Sequence, residues 1–279
     1  MQVAVVGHIE WVDFIRVPRM PGPGEIVHAV EAWDEAGGGG AVAAVQLAKL
    51  AGSADFFTAV GDDKLGRRAQ VELALMGLKI HAGIRPEPQR RAIIYIDGSR
   101  DRSITVLGVR SSPSSAHDLP WDLLEDADAV YLTAGDVQAV RLARKAKVLV
   151  ATSRILPLLA EAGVELDAVV GSSLDPSEQY REGDLIPTPG LVVRSAGEAG
   201  GTYQVAGGPV RQYPATPLPG PVVDTYGCGD SFAAGLTFGL GLGLPPEEAL
   251  HLAALCGAAV ATGRGPYPAQ LTRANLPGV

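Results

Sequence analysis

Asp224 and Asp230 bracket a segment, Val222-Val223-Asp224-Thr225-Tyr226-Gly227-Cys228-Gly229-Asp230-Ser231-Phe232, in which glycines alternate with one small residue and a long apolar-faced stretch follows. Gly227 and Gly229 allow successive backbone N–H groups to converge at the start of a helix, where donors lack partners and the dipole is positive. Such a turn makes an anion hole. A carboxylate in the first helical turn beside it can take a proton from a hydroxyl while the amides stabilise charge on a transferring phosphoryl group, which is the chemistry of phosphoryl transfer to an alcohol. The same residues also read as an Asp N-cap after a glycine turn. Other chemistries have less to stand on. His8, His28, His81, His117 and His251 show no HxxxH spacing and Cys228 and Cys256 no ligand spacing, so surface or core histidines outweigh metal ligands. No GxxxxGK[ST] run is present, which excludes the P-loop route to ATP, and Ser173 and Ser195 lack a nucleophile elbow.

The run from Asp224 to Asp230 resembles the DTxGAGD signature of the ribokinase-like (PfkB) carbohydrate and nucleoside kinases, with Cys228 where Ala is usual. The resemblance implies that Asp230 is the catalytic base, that Gly227, Cys228 and Gly229 form the anion hole, and that Asp224 and Thr225 order the nearby phosphate and cation chemistry. Further matches extend over nearly the whole chain. Gly7-His8-Ile9-Glu10-Trp11-Val12-Asp13, followed by Pro21-Gly22-Pro23-Gly24-Glu25, is similar to the family's opening, in which an Asp at the position of Asp13 binds sugar hydroxyls. A carboxylate accepts two hydrogen bonds and suits a vicinal diol, although an exposed Asp at a strand end reads the same way. Gly37-Gly38-Gly39-Gly40-Ala41 resembles the GGxxAN segment that approaches substrate with bare backbone, and departs from it at Val42. Gly38-x-Gly40-x-x-Ala43 also satisfies a loose dinucleotide fingerprint, but Glu31, Asp34 and Glu35 precede it where a buried first strand is required.

Later motifs follow in family order. The stretch from Phe57 to Arg67 is similar to VGxDxxG, with Asp63 expected to cap the helix after it, and Arg102-Ser103-Ile104 resembles the RTI element of the small lid sheet. Ser195, Gly197 and Gly200 look like the TxGxxG nucleotide loop, with Ala254 on the last helix and Thr262-Gly263-Arg264-Gly265-Pro266 bordering the adenine and ribose pocket. Where the family shows NxxE, this chain has Ser172-Ser173-Leu174-Asp175. The resemblance then implies a nucleotide contact at Ser172 and a shortened arm at Asp175 to orient a magnesium-bound water.

These residues need a scaffold, and the chain reads as one. Short β-branched runs at 3–6, 56–60, 129–133, 148–152, 168–171 and 191–193 alternate with helix-like segments at 41–50, 66–76, 137–145, 155–162, 231–240 and 246–262. That alternation predicts a doubly wound, mostly parallel sheet flanked by helices. Two segments, within about residues 11–32 and 90–109, alternate apolar with polar residues and are expected to pair as a small β-sheet lid, with an Asp97-Gly98 turn signal in the second. Extra strands on the edge of the main sheet are the alternative. No repeat and no separating linker interrupts residues 1–279, which read as one ribokinase-like domain.

Composition bounds the partners. With 279 residues, 47% hydrophobic and 19% charged, a buried interior is within reach. A formal charge of −8 offers no basic field for nucleic acid or anionic lipid. The start of the chain lacks a basic leader and no stretch is long and apolar enough to span a bilayer, so with two cysteines a reduced, cytoplasmic enzyme is expected. The resulting expectation is transfer of the ATP γ-phosphoryl group, with Mg2+ and a monovalent cation such as K+ as cofactors, to a sugar-like small-molecule acceptor, and a homodimer through the lid. Two readings stay beside it: a nucleoside kinase of the same family with Trp11, Phe14 and Trp33 under the lid, and a non-catalytic sugar- or nucleotide-binding regulator.

Overall fold

The structure is a computed structural model that describes residues 1–98 and 102–276. The main sheet holds, in spatial order, β13 (Arg211–Tyr213), β12 (Gly201–Val205), β11 (Leu191–Ser195), β10 (Ala168–Ser172), β9 (Val148–Thr152), β8 (Ala129–Leu132), β1 (Val3–Val6), β4 (Ala54–Gly61) and β5 (Leu78–Arg85). From β11 to β5 every pairing is parallel, and β12 and β13 add an antiparallel edge. β1 shows why the strands read as continuous apolar runs. Val3 and Val5 pack into one core with α1 (Gly39–Ala51), α5 (Cys228–Gly241) and α6 (Pro246–Val260), while Ala4 and Val6 face a second core under α3 (Val137–Ala143) and α4 (Leu156–Ala162). A strand covered on both faces has no polar side to alternate with.

β1 is also where the strand order reverses, between β4 on one side and β8 on the other. The carboxyl ends of the parallel strands meet there, the usual ligand crevice of an open α/β sheet. α2 (Lys64–Leu75) covers the β4 side, and its N-cap is Asp63, whose carboxylate accepts from the Gly66 N–H at 2.8 Å as the sequence predicts.

A separate four-stranded sheet rises from this end in the order β3 (Glu31–Gly37), β2 (Glu10–Arg16), β6 (Arg91–Ile96) and β7 (Arg102–Leu107). The segment 11–32 thus supplies β2 and only the first residues of its partner, which runs on to Gly37. Its charges hid it from a search for apolar runs: Ala32 and Asp34 stand exposed at the sheet's edge while Ala36 is buried. The strands β5, β12 and β13 were likewise too short or too mixed to register in the sequence. The turn expected after Asp97-Gly98 runs into residues 99–101, outside the described residues.

Candidate active site

Gly227 takes φ 83° as the N-cap of α5 and makes no side-chain cap, so Asp230 lies inside the first turn and is not the N-cap. Only glycine enters that left-handed region cheaply, and a Cβ there would stand 2.9 Å from Pro266 Cβ and 3.0 Å from Val42 Cγ1. The N–H groups of Gly229 and Asp230 have no acceptor among the described residues, as expected for the first turn of a helix. The Asp230 carboxylate likewise makes no hydrogen bond or ion pair among them. Desolvation, and next the Glu178 charge, push its pKa up to about 6, against the pull of Arg102 and Arg154.

α1 begins directly opposite. A Cβ on Gly39 would lie 2.7 Å from Asp230 Oδ1, so the glycine run is what lets this carboxylate stand against bare backbone. Gly37 and Gly40 are equally crowded: a Cβ would meet Val12 Cγ2 at 2.6 Å at the first and the His8 main chain at 2.7 Å at the second. Gly38, at φ 88°, donates its N–H to the buried Tyr226 hydroxyl at 2.8 Å. Tyr226 therefore ties the glycine run to the anion loop, with its ring edge against Phe14.

Asp224 is spent on backbone. Its carboxylate accepts from Tyr226 N at 2.8 Å and Gly265 N at 3.3 Å, and burial raises its pKa. Thr225 accepts twice from Arg102 of β7, at its carbonyl and at its hydroxyl, both 2.7 Å. The Cys228 thiol is pushed up to about 11 by burial and stays neutral, and its N–H donates to Thr225 O at 3.5 Å, which leaves the Gly229 and Asp230 amides as the free donors of the turn.

The structure does not bring Asp13 to this centre. Along β2, Glu10, Val12 and Phe14 share the face that meets Gly37 and Tyr226, whereas Asp13 points to the other face with Trp11 and pairs with Arg91 at 2.8 Å. The acidic residue on the site's side is Glu10, which sequence reasoning passed over. It is 8% exposed, holds Arg90 at 2.8 Å and lies beside His8 and Gly38, and burial raises its pKa. Period-two parity with Val12 was the signal available for it. Trp11 and Phe14 are packed away, and Trp33 is stacked on Phe14 at 4.7 Å and covered by Arg264 at 3.8 Å, so these aromatics leave no room for a nucleobase between them.

Ser172 and Ser195 end the neighbouring strands β10 and β11 in register, at the carboxyl end of the sheet. Gly197 and Gly200 follow with φ 57° and 80°, and Ala196 N–H closes the loop on Gly200 O at 2.7 Å. Ala254 is half-buried on α6, one turn before Gly257, where a Cβ would stand 3.1 Å from Cys228 O. Asp175 is already engaged: it caps the turn at Ser177 and pairs with Arg154 at 2.7 Å, which holds its carboxyl near pKa 2. The carboxylate whose charge reaches Asp230 is Glu178, also missed in the sequence because it falls three residues beyond the expected spacing. It accepts from Ser172 N at 2.7 Å, pairs with Arg154, and is the charge that acts most on Asp230. No group of three His, Cys, Asp or Glu able to hold a metal exists among the described residues. A cavity of about 400 Å³ lies elsewhere, lined by Arg16, Val30, Ile96 and Pro221 among others, and includes none of the residues above.

Residues 1–160 and 164–273 match the pfkB family carbohydrate kinases. The chain is 27% identical over 283 residues to the ATP-dependent ribose-1-phosphate kinase of Halopiger xanaduensis, covering 95% of this chain and 93% of that one. In fold it is similar to the ribokinase of Thermotoga maritima (TM-score 0.78, 19% identity, 98% and 97% of the two chains). It is also similar to the ribokinase of Arabidopsis thaliana complexed with ribose and ATP (TM-score 0.75, 21% identity, 98% and 96%). With the match spanning both the small sheet and the anion loop, this chain belongs to the pfkB family of carbohydrate kinases.

Proposed function

We propose that the protein transfers the γ-phosphoryl group of ATP to a hydroxyl of a sugar or sugar-like metabolite, with Asp230 as general base. The observation that carries this reading is the unpartnered Asp230 carboxylate, raised to about pKa 6 between the bare Gly39 backbone and the unsatisfied first-turn amides of α5. A base so tuned is ionised at neutral pH yet basic enough to draw a proton from an attacking hydroxyl. The Gly229 and Asp230 N–H groups and the α5 dipole stabilise charge on the transferring group. Transfer in line then needs the acceptor on the Glu10 and Gly39 side of Asp230 and ATP along Ser195, Gly197 and Gly200. A ribokinase complexed with ribose and ATP has a similar fold, which supports a sugar and ATP as the pair of ligands.

Magnesium enters this scheme with the nucleotide. The donors present fit a hydrated ion carried by phosphate oxygens, since Glu178 keeps lone pairs free beyond its contacts with Ser172 and Arg154 while Asp175 is committed to its cap. When bound, the ion neutralises phosphate charge. A regulator without catalysis would have no use for an isolated, raised carboxylate at this point.

An ADP-release assay on Asp230→Asn tests the reading. Turnover is expected to fall at least about 100-fold, the lower range for loss of a general base, with ATP affinity by calorimetry unchanged. Near wild-type kcat in the variant sinks the assignment of Asp230.

A further inference from the structure

We propose that the acceptor carries an anionic group, a phosphate ester or a carboxylate, and that Arg110 with Arg90 receives it. The inference rests on the kinase reading above and names the class of acceptor that reading leaves open. It starts from a cluster on the acceptor side of Asp230. His8 follows β1, Glu10 opens β2, Arg90 precedes β6 and Arg110 comes in on the chain after β7. Glu10 holds Arg90 at 2.8 Å and lies 3.9 Å from His8, and both Glu10 and His8 border Gly38, next to the Gly39 backbone that faces Asp230.

The charges in this cluster do not cancel. Arg110 is half-buried and electrostatically coupled to Arg90 and Glu10, yet it makes no hydrogen bond and no ion pair among the described residues. Glu10 therefore neutralises one arginine and leaves the other unmatched. His8 cannot help: it is 7% exposed, its pKa is lowered well below 6.5 by burial and by the same arginines, and its Nδ1 has no partner. A guanidinium withdrawn from water without a counter-charge is costly, and a second one beside it adds repulsion. An anionic ligand removes both penalties, and paired guanidinium forks suit the planar or tetrahedral oxygens of a carboxylate or phosphate. Glu10 borders Gly38, next to the Gly39 backbone that faces Asp230, and its charge acts on both Asp230 and Arg110. One molecule can then present a hydroxyl to Asp230, accept or donate at Glu10, and set its anionic end on the arginines. A neutral sugar would fill the same space and leave Arg110 unpaired.

Calorimetric titration with two matched trios tests this: ribose, ribose 5-phosphate and ribonate, then glucose, glucose 6-phosphate and gluconate. At least one anionic member should bind with a Kd at least about tenfold below that of its neutral counterpart, the phosphate and carboxylate arms showing which group is meant. Arg110→Gln should weaken that member about tenfold or more, Arg110→Lys less, and ATP binding should not change in either. The proposal is overturned if neutral sugars bind as well as their anionic partners, if no anionic member binds, or if Arg110→Gln weakens neutral and anionic sugars equally. Because binding needs no turnover, an anionic ligand that binds but yields no ADP with Mg-ATP counts against the kinase reading alone.

Discussion

Asp230, with its pKa near 6, sets the expected pH dependence of the enzyme. The base works only when ionised, so kcat/KM should rise about tenfold per pH unit below about pH 6 and level off above it. A profile measured from pH 4.5 to 8 that is flat through this window would contradict the assignment. The same raised pKa has a cost in stability. A carboxyl whose folded pKa lies above its unfolded value destabilises the fold once it is ionised, so the penalty is absent at low pH and complete above about pH 6. Asp230→Asn should then melt at or above the wild-type temperature at pH 7.5 while losing turnover. Glu178 and Asp175 separate in the same way. Glu178→Gln should raise the Mg2+ concentration for half-maximal rate severalfold, because its charge is the one that acts most on Asp230, whereas Asp175→Asn should leave that midpoint in place. A magnesium titration at fixed ATP that shows the reverse order would return the role to Asp175.

At the scale of elements, the site is a meeting of two helix starts. α5 brings its amides and Asp230, and α1 brings Gly39 with no side chain to intervene. Gly39 is a helical residue without positive φ, so Gly39→Ala is compatible with its backbone and lowers the entropic cost of the helix. Its Cβ would nevertheless stand 2.7 Å from Asp230 Oδ1 and push the carboxylate aside. The expected result is a protein that melts no lower than wild type but turns over at least about tenfold more slowly, since small misplacements of a catalytic group carry penalties of this size or larger. Unchanged kcat with unchanged melting would mean that Asp230 is not held where its function requires it. Of this element pair, the glycines and the aspartate were legible in the sequence through their spacing. Their opposition was not, because no local pattern says that residue 39 faces residue 230.

Across the whole molecule, the small sheet is joined to the anion loop by Arg102, which donates to both oxygens of Thr225 at 2.7 Å. Arg102→Ala should release β7, so that amide exchange measured by mass spectrometry accelerates over Arg102–Leu107 while β1 and β8 stay protected. Equal protection in both proteins would show that β7 is held by β6 alone. The sequence by itself determined the alternation of strands and helices, the buried character of β1, the Asp63 cap and the glycine-rich anion loop. Each of these depends on contacts within a few residues or on periodicity, which a linear string records. Only the tertiary structure decided that Asp13 faces away with Arg91 and Glu10 faces the site, since a strand's parity fixes which residues share a face but not which face the rest of the protein covers. It alone placed Glu178 ahead of Asp175, because the turn after β10 feeds a side chain back to Ser172 that spacing assigns elsewhere. The pKa of Asp230 is the extreme case: it arises from burial and from Glu178, a residue distant in the chain, and no property of the DTYGCGD segment contains it.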